Sequence, residues 1–189
     1  IRAGYGSEAY FPGSTSETEQ NEKKEYFWVS AKYENRGYLP LDQRFNLGYY
    51  MHLHASFRPL LSNYYSTLIE APVFKPNIIT KSLFMEHYRA NQFIAFGVMP
   101  VYNFSKQFHA KAEAYAFFPV QEIRRDIQNE AYLSPYFNTM KTLFDASLNF
   151  VTVAGPVSFH VGYITEEEKP WVFQLSFGYL LFNKRSVDE

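Results

Sequence analysis

The chain has 189 residues, no cysteine, and 18 basic against 19 acidic side chains, for a formal charge of -1. So even a balance leaves no basic stripe for a nucleic acid, and without cysteine there is no disulfide, thiol nucleophile or zinc–thiolate site. Aromatic residues make up 20% of the chain, yet nowhere is there the run of about 18 apolar residues that a membrane-spanning helix needs.

Residues 1–11 alternate, with Ile1, Ala3, Tyr5, Ala9 and Phe11 on one face, and predict a strand. That strand begins at once, with no leader before it, so the native N-terminus is expected to lie upstream or to be processed away. Pro12 to Lys24 is polar and rich in breakers, the pattern of a long exposed loop. Tyr26 to Tyr38 resumes the alternation: Phe27, Val29, Ala31 and Tyr33 oppose Trp28, Ser30, Lys32, Glu34 and Arg36. A short turn over 39–43 leads into Phe45 to Phe57. There Leu47, Tyr49, Met51 and Leu53 oppose Asn46, Tyr50, His52, His54 and Ser56.

Tyr64 to Ala71 predicts a further strand, and Leu83 to Tyr88 another. In Asn91 to Phe104, Ile94, Phe96, Val98, Tyr102 and Phe104 share a face. After a tight turn at 105–107, Phe108 to Phe118 alternates most cleanly: Phe108, Ala110, Ala112, Ala114, Ala116 and Phe118 oppose His109, Lys111, Glu113, Tyr115 and Phe117. Val120 to Thr139 reads as a second long polar connection with room for a short helix. Met140 to Ala154 and Val157 to Ile164 are expected to pair across Gly155 and Pro156. The last strand, Trp171 to Phe182, places Trp171, Phe173, Leu175, Phe177, Tyr179 and Leu181 on one continuous apolar face. The isolated glycines Gly4, Gly6 and Gly97 suit bulges or close packing better than phosphate loops.

Nine or ten strands with this alternation predict an all-β chain. Short turns alternate with longer connections, which is the habit of an antiparallel transmembrane β-barrel of the bacterial outer membrane. The chain is expected to be one barrel domain over 1–189, or the C-terminal part of a larger barrel, with a polar tail at 183–189. Phe96, Ala112, Phe150, Phe173 and Phe177 are expected to face lipid. Lys32, Glu34, Arg36, Lys111, Glu113 and Asp145 are expected to face the lumen. The mean hydropathy is negative, as it must be when apolar and polar residues alternate. The competing reading is a soluble β protein that buries its aromatic face and binds an apolar ligand; its charges would then simply face water.

Little in the sequence points to catalysis. His54 and Ser56 are two apart on one strand face and resemble the His-x-Ser arrangement of outer-membrane phospholipase A. That motif continues Asn-Gly, whereas this chain continues Phe57-Arg58, and the pair falls on the lumen face. The alternative to a silent barrel is therefore a barrel lipase using His54 and Ser56. His52, His54 and His160 have no carboxylate at ligand spacing, so no metal is expected, and no cofactor.

Four stretches stand out, Glu70-Ala71-Pro72-Val73-Phe74-Lys75-Pro76, Tyr88-Arg89-Ala90-Asn91-Gln92-Phe93-Ile94-Ala95-Phe96-Gly97, Glu113-Ala114-Tyr115-Ala116-Phe117-Phe118-Pro119 and Phe177-Gly178-Tyr179-Leu180-Leu181-Phe182-Asn183. Together they are similar to the C-terminal barrel of patatin-like outer-membrane proteins of Bacteroidetes. The resemblance implies a parent with an N-terminal hydrolase domain, a linking domain and a barrel like that of the Omp85 superfamily. It implies as partners the lipid bilayer and either that hydrolase domain or other outer-membrane subunits. The family's hydrolase uses a Gly-x-Ser-x-Gly elbow, which this sequence lacks, so its catalytic residues carry over to no position here.

Overall fold

The computed structural model describes residues 2–9, 23–61, 63–153 and 155–178. The loop expected over Pro12 to Lys24 lies outside these residues as far as residue 22, and so does the 183–189 tail. Among the described residues the chain is all-β with two short helices. Its strands are β1 (Arg2–Ala9), β2 (Lys23–Pro40), β3 (Phe45–Ser56), β4 (Gln92–Asn103), β5 (Phe108–Pro119), β6 (Ile123–Arg125), β7 (Ala131–Leu133), β8 (Lys141–Thr152), β9 (Gly155–Ile164) and β10 (Trp171–Phe177). The helices are α1 (Tyr64–Glu70) and α2 (Ile78–Lys81).

Eight strands form one sheet in the order β1-β2-β3-β4-β5-β8-β9-β10, and β6 pairs with β7 alone. Among the described residues no ladder joins the two ends of that order. The chain divides into two compact units, residues 1–35, 51–96 and 116–141, and residues 36–50, 97–115 and 142–189.

In the first unit the segment between β3 and β4 departs from the sequence reading. Tyr64 to Ala71 is not a strand but α1. Asn63 caps it, its side chain accepting from Tyr65 N at 2.8 Å. The helix buries Tyr64, Thr67 and Leu68, which is helical spacing. Leu83 to Tyr88 is not a strand either: the chain turns there, and only the isolated bridge Val73–Arg89 forms. Arg89 closes the C-terminal end of α1. Its Nη1 donates to the carbonyls of Leu68 at 3.0 Å, Ile69 at 3.0 Å and Ala71 at 3.2 Å. The long connection after β5 holds a small hairpin rather than a helix. Asp126 Oδ1 accepts from Gln128 N and Glu130 N, and Asn129 takes φ 63, so the tight turn is built from local side-chain bonds.

This unit has a dry aromatic core. Phe74 stacks on Phe117 at 5.4 Å between centroids, and Phe93 and Tyr88 meet the same ring at 5.0 and 5.6 Å. All four are fully buried. Tyr64, Leu68, Ala71 and Ile123 form a smaller cluster that ties α1 to the β6–β7 hairpin. Tyr64 N also donates to Asn129 O at 2.9 Å.

An ion network fixes the base of the hairpin. Glu122 meets Lys141 Nζ at 2.5 Å and Arg124 Nη2 at 2.7 Å, and Lys141 Nζ also donates to His87 O at 2.7 Å. Burial alone would raise the Glu122 carboxyl above its ordinary value, but hydrogen bonds from Lys141 and Arg124 outweigh it and hold the group down at about 2. A depressed folded value adds stability that is complete above the ordinary glutamate range and is lost as pH falls through about 2. Protection of the Ile123 and Leu133 amides, taken relative to their intrinsic exchange at each pH, is therefore expected to fall across that window. In Glu122→Gln the fall should disappear, leaving the hairpin equally protected at both ends of it.

The second unit is built from the ends of β2 to β5 and from β8, β9 and β10. Its best-defined ladders are antiparallel. β8 pairs with β9 from Leu143 opposite Ile164 to Thr152 opposite Gly155. Gly155 and Pro156, expected to lie between the two strands, are therefore the first residues of β9. β10 pairs with β9 from Trp171 opposite Tyr163 to Phe177 opposite Val157. On β4, Gly97 leaves room for the ring of Tyr115; a Cβ there would lie 2.6 Å from Tyr115 Cε1. That glycine serves close packing, as its isolated place in a strand suggested.

Candidate functional site

The inner face of the second unit gathers the ionisable groups. On β5, Lys111 and Glu113 form an ion pair, and Glu113 is only 5% exposed. On β8, Asp145 is 3% exposed and lies 3.1 Å from Nδ1 of His160 on β9. The register explains the contact: Asp145 stands opposite Gly162 and Ser147 opposite His160, so Asp145 and His160 are diagonal neighbours across a residue with no side chain. Ser147 Oγ donates to Lys111 O at 3.5 Å, and Asn149 Nδ2 donates to Ser147 Oγ at 3.1 Å. Nearby the Arg36 guanidinium lies 5.0 Å from the Tyr50 ring centroid, and Tyr50 meets Tyr115 edge-on at 5.4 Å.

The outer face of the same strands is the reverse. Phe144, Leu148 and Phe150 on β8 and Phe159 on β9 are exposed, and Trp171, Phe173, Leu175 and Phe177 on β10 are 58–73% exposed. Large apolar side chains point out while carboxylates and a histidine are buried. Ordinary water-soluble packing has the opposite sense.

The residues expected at the lipid surface, Phe96, Ala112, Phe150, Phe173 and Phe177, are all exposed. Of those expected inside, Glu113 and Asp145 are buried and Lys111 is half-buried. Lys32 and Glu34 pair with each other at 2.6 Å but are exposed, as is Arg36. There β2 is exposed on both faces from Ala31 to Arg36, so exposure does not separate its two sides.

His160 is the partner of Asp145, and among the described residues no three His, Asp or Glu side chains gather as a metal set. His54 and Ser56 share a face of β3 in the first unit. His54 stacks on Phe93 at 5.4 Å, and neither its Nε2 nor Ser56 Oγ has a hydrogen-bond partner among the described residues. A serine nucleophile needs its base within hydrogen-bond reach and a third group to orient that base. Ser56→Ala is accordingly expected to leave ester hydrolysis by the folded chain at background, unchanged from the parent. Activity that this substitution abolishes, with the fold intact, would make the chain a lipase.

No family model, curated protein or solved structure matches the chain.

Proposed function

We propose that the chain is an outer-membrane β-barrel module of a bacterium that anchors or exports a partner domain. The observation that carries the reading is the inverted packing of the second unit, with aromatic side chains outward and Glu113, Asp145 and His160 buried inward. A bilayer gives both faces a suitable solvent: hydrocarbon outside and a hydrated or ion-paired lumen inside. Strand length supports it, since β3, β4, β5 and β8 have 12 residues each and a tilted spanning strand needs about 9–11. Aromatic rings at both ends of the second unit's strands support it too. Tyr163 meets Trp171 at 5.0 Å at one end, and Tyr102, Phe104 and Phe108 form a ring chain with 4.9 Å spacings at the other. Such rings suit the two membrane–water interfaces.

The partner domain is proposed from the resemblance of residues 70–76, 88–97, 113–119 and 177–183 to patatin-like outer-membrane proteins; it would be a hydrolase that lies outside this chain.

The test is solvent dependence. The chain is expected to fold into a β-rich monomer only in detergent or vesicles, and to aggregate in plain buffer. A β-rich monomer at high concentration in plain buffer would favour instead a soluble protein with an apolar ligand.

A further inference from the structure

The inner face of the second unit holds a cavity that anchoring does not require. Its volume is about 500 Å³, and Tyr38, Asn46, His109, Lys111, Asn149 and His160 line it. We propose that this cavity binds a small oxyanion, the phosphate or carboxylate group of a metabolite-sized solute. The inference goes beyond anchoring, and it uses the second unit alone.

The charge pattern is the first argument. The basic side chains that line the cavity are His109, Lys111 and His160. The carboxylates that accompany them are held elsewhere, Glu113 in its pair with Lys111 and Asp145 against Nδ1 of His160. Neither carboxylate is among the residues that line the cavity. An anion entering it meets donors and no competing negative oxygen.

Donor capacity is the second. Lys111 carries three N–H bonds, so its pair with Glu113 leaves others to give. Asn149 donates to Ser147 with one amide hydrogen and keeps another. His160 uses Nδ1 toward Asp145, and Nε2 is its other nitrogen; an oxyanion favours the imidazolium form, in which both nitrogens donate. The Tyr38 hydroxyl, the Asn46 amide and the His109 ring add to the set. Charge-assisted bonds of this kind are the strong ones. The ion pairs also fix where the bases sit before a ligand arrives, which lowers the ordering cost of binding.

Size sets the class. A cavity of about 500 Å³ lies within the range of about 300–1,000 Å³ typical of small-molecule sites. Inorganic phosphate alone would leave most of it to water, so an organic oxyanion fits better.

The experiment titrates inorganic phosphate, and separately glycerol 3-phosphate, into the detergent-folded chain while following histidine ring resonances. Saturable shifts at His109 and His160 are expected, with glycerol 3-phosphate the tighter of the two. Neutralising one pair in Lys111→Gln/Glu113→Gln should weaken binding roughly tenfold, as the loss of one charge-assisted hydrogen bond does. Asn46→Leu takes no part in the ion pairs and should weaken binding while leaving the β-sheet spectrum intact. Absence of saturable shifts with both solutes, or equal affinity in all variants, overturns the site. A chain that folds only in detergent but binds neither solute loses this site and keeps the barrel. A chain that binds them as a soluble monomer in plain buffer keeps the site and loses the barrel.

Discussion

His160→Ala is expected to destabilise the folded chain by about 1–3 kcal/mol, the cost typical of removing one partner of a buried hydrogen bond. Asp145 is 3% exposed, and His160 Nδ1 stands 3.1 Å from its Oδ2. Taking away the imidazole costs the buried Asp145 carboxyl that hydrogen bond, and it opens space beside Gly162. The double variant Asp145→Leu/His160→Leu removes both polar groups together. It should recover most of that loss, because the same volume filled by apolar groups leaves no polar group to satisfy. Urea unfolding of both variants in the same detergent measures the difference. Equal losses in the single and double variants would mean that the pair is already hydrated and does not act as a buried couple.

Phe117→Ala should cost more, about 3–5 kcal/mol, through a different mechanism. Phe117 is fully buried where Phe74, Phe93 and Tyr88 converge on its ring. Its removal leaves a cavity among side chains carried by β4, β5 and the segment between β3 and β4. These cannot collapse together without moving two strands. The loss should be accompanied by faster amide exchange at Phe74, whose N–H bonds Tyr88 O at 2.9 Å. Phe117→Leu fills most of the volume and is expected to cost much less. If Phe117→Ala cost below about 1 kcal/mol, the segment carrying Phe74 would not be packed as described.

The sheet was legible in the sequence because period-2 alternation survives wherever one face differs strongly from the other. In Phe108 to Phe118 the alanines and the charged residues leave only one register, and β5 runs over Phe108–Pro119. The segment after β3 was not legible for the converse reason. Tyr65, Thr67, Ile69 and Ala71 alternate as a strand would, while Tyr64, Leu68 and Ala71 keep helical spacing. The deciding signal was Asn63, an N-cap whose carboxamide bonds the first helical amides. The β6–β7 hairpin was missed because three-residue strands carry no periodicity. Only Asp126 and Asn129 mark its turn. The Asp145–His160 contact was not legible because the crossing was expected at Gly155 and Pro156, whereas β8 and β9 pair from Thr152 opposite Gly155, which sets another register.

The central claim is that the outward aromatic face meets lipid, and site-directed spin labels in vesicles test it most directly. Labels at Phe96, Ala112, Phe150, Phe173 and Phe177 should relax strongly with lipid-soluble oxygen and weakly with a water-soluble quencher. Labels at Lys111, Glu113 and Asp145 should show the opposite preference or be shielded from both. Alternation of the two responses along β5 and β8, residue by residue, is the result a membrane barrel predicts. Equal accessibility of both sets to the water-soluble quencher would contradict it and return the chain to a soluble sheet.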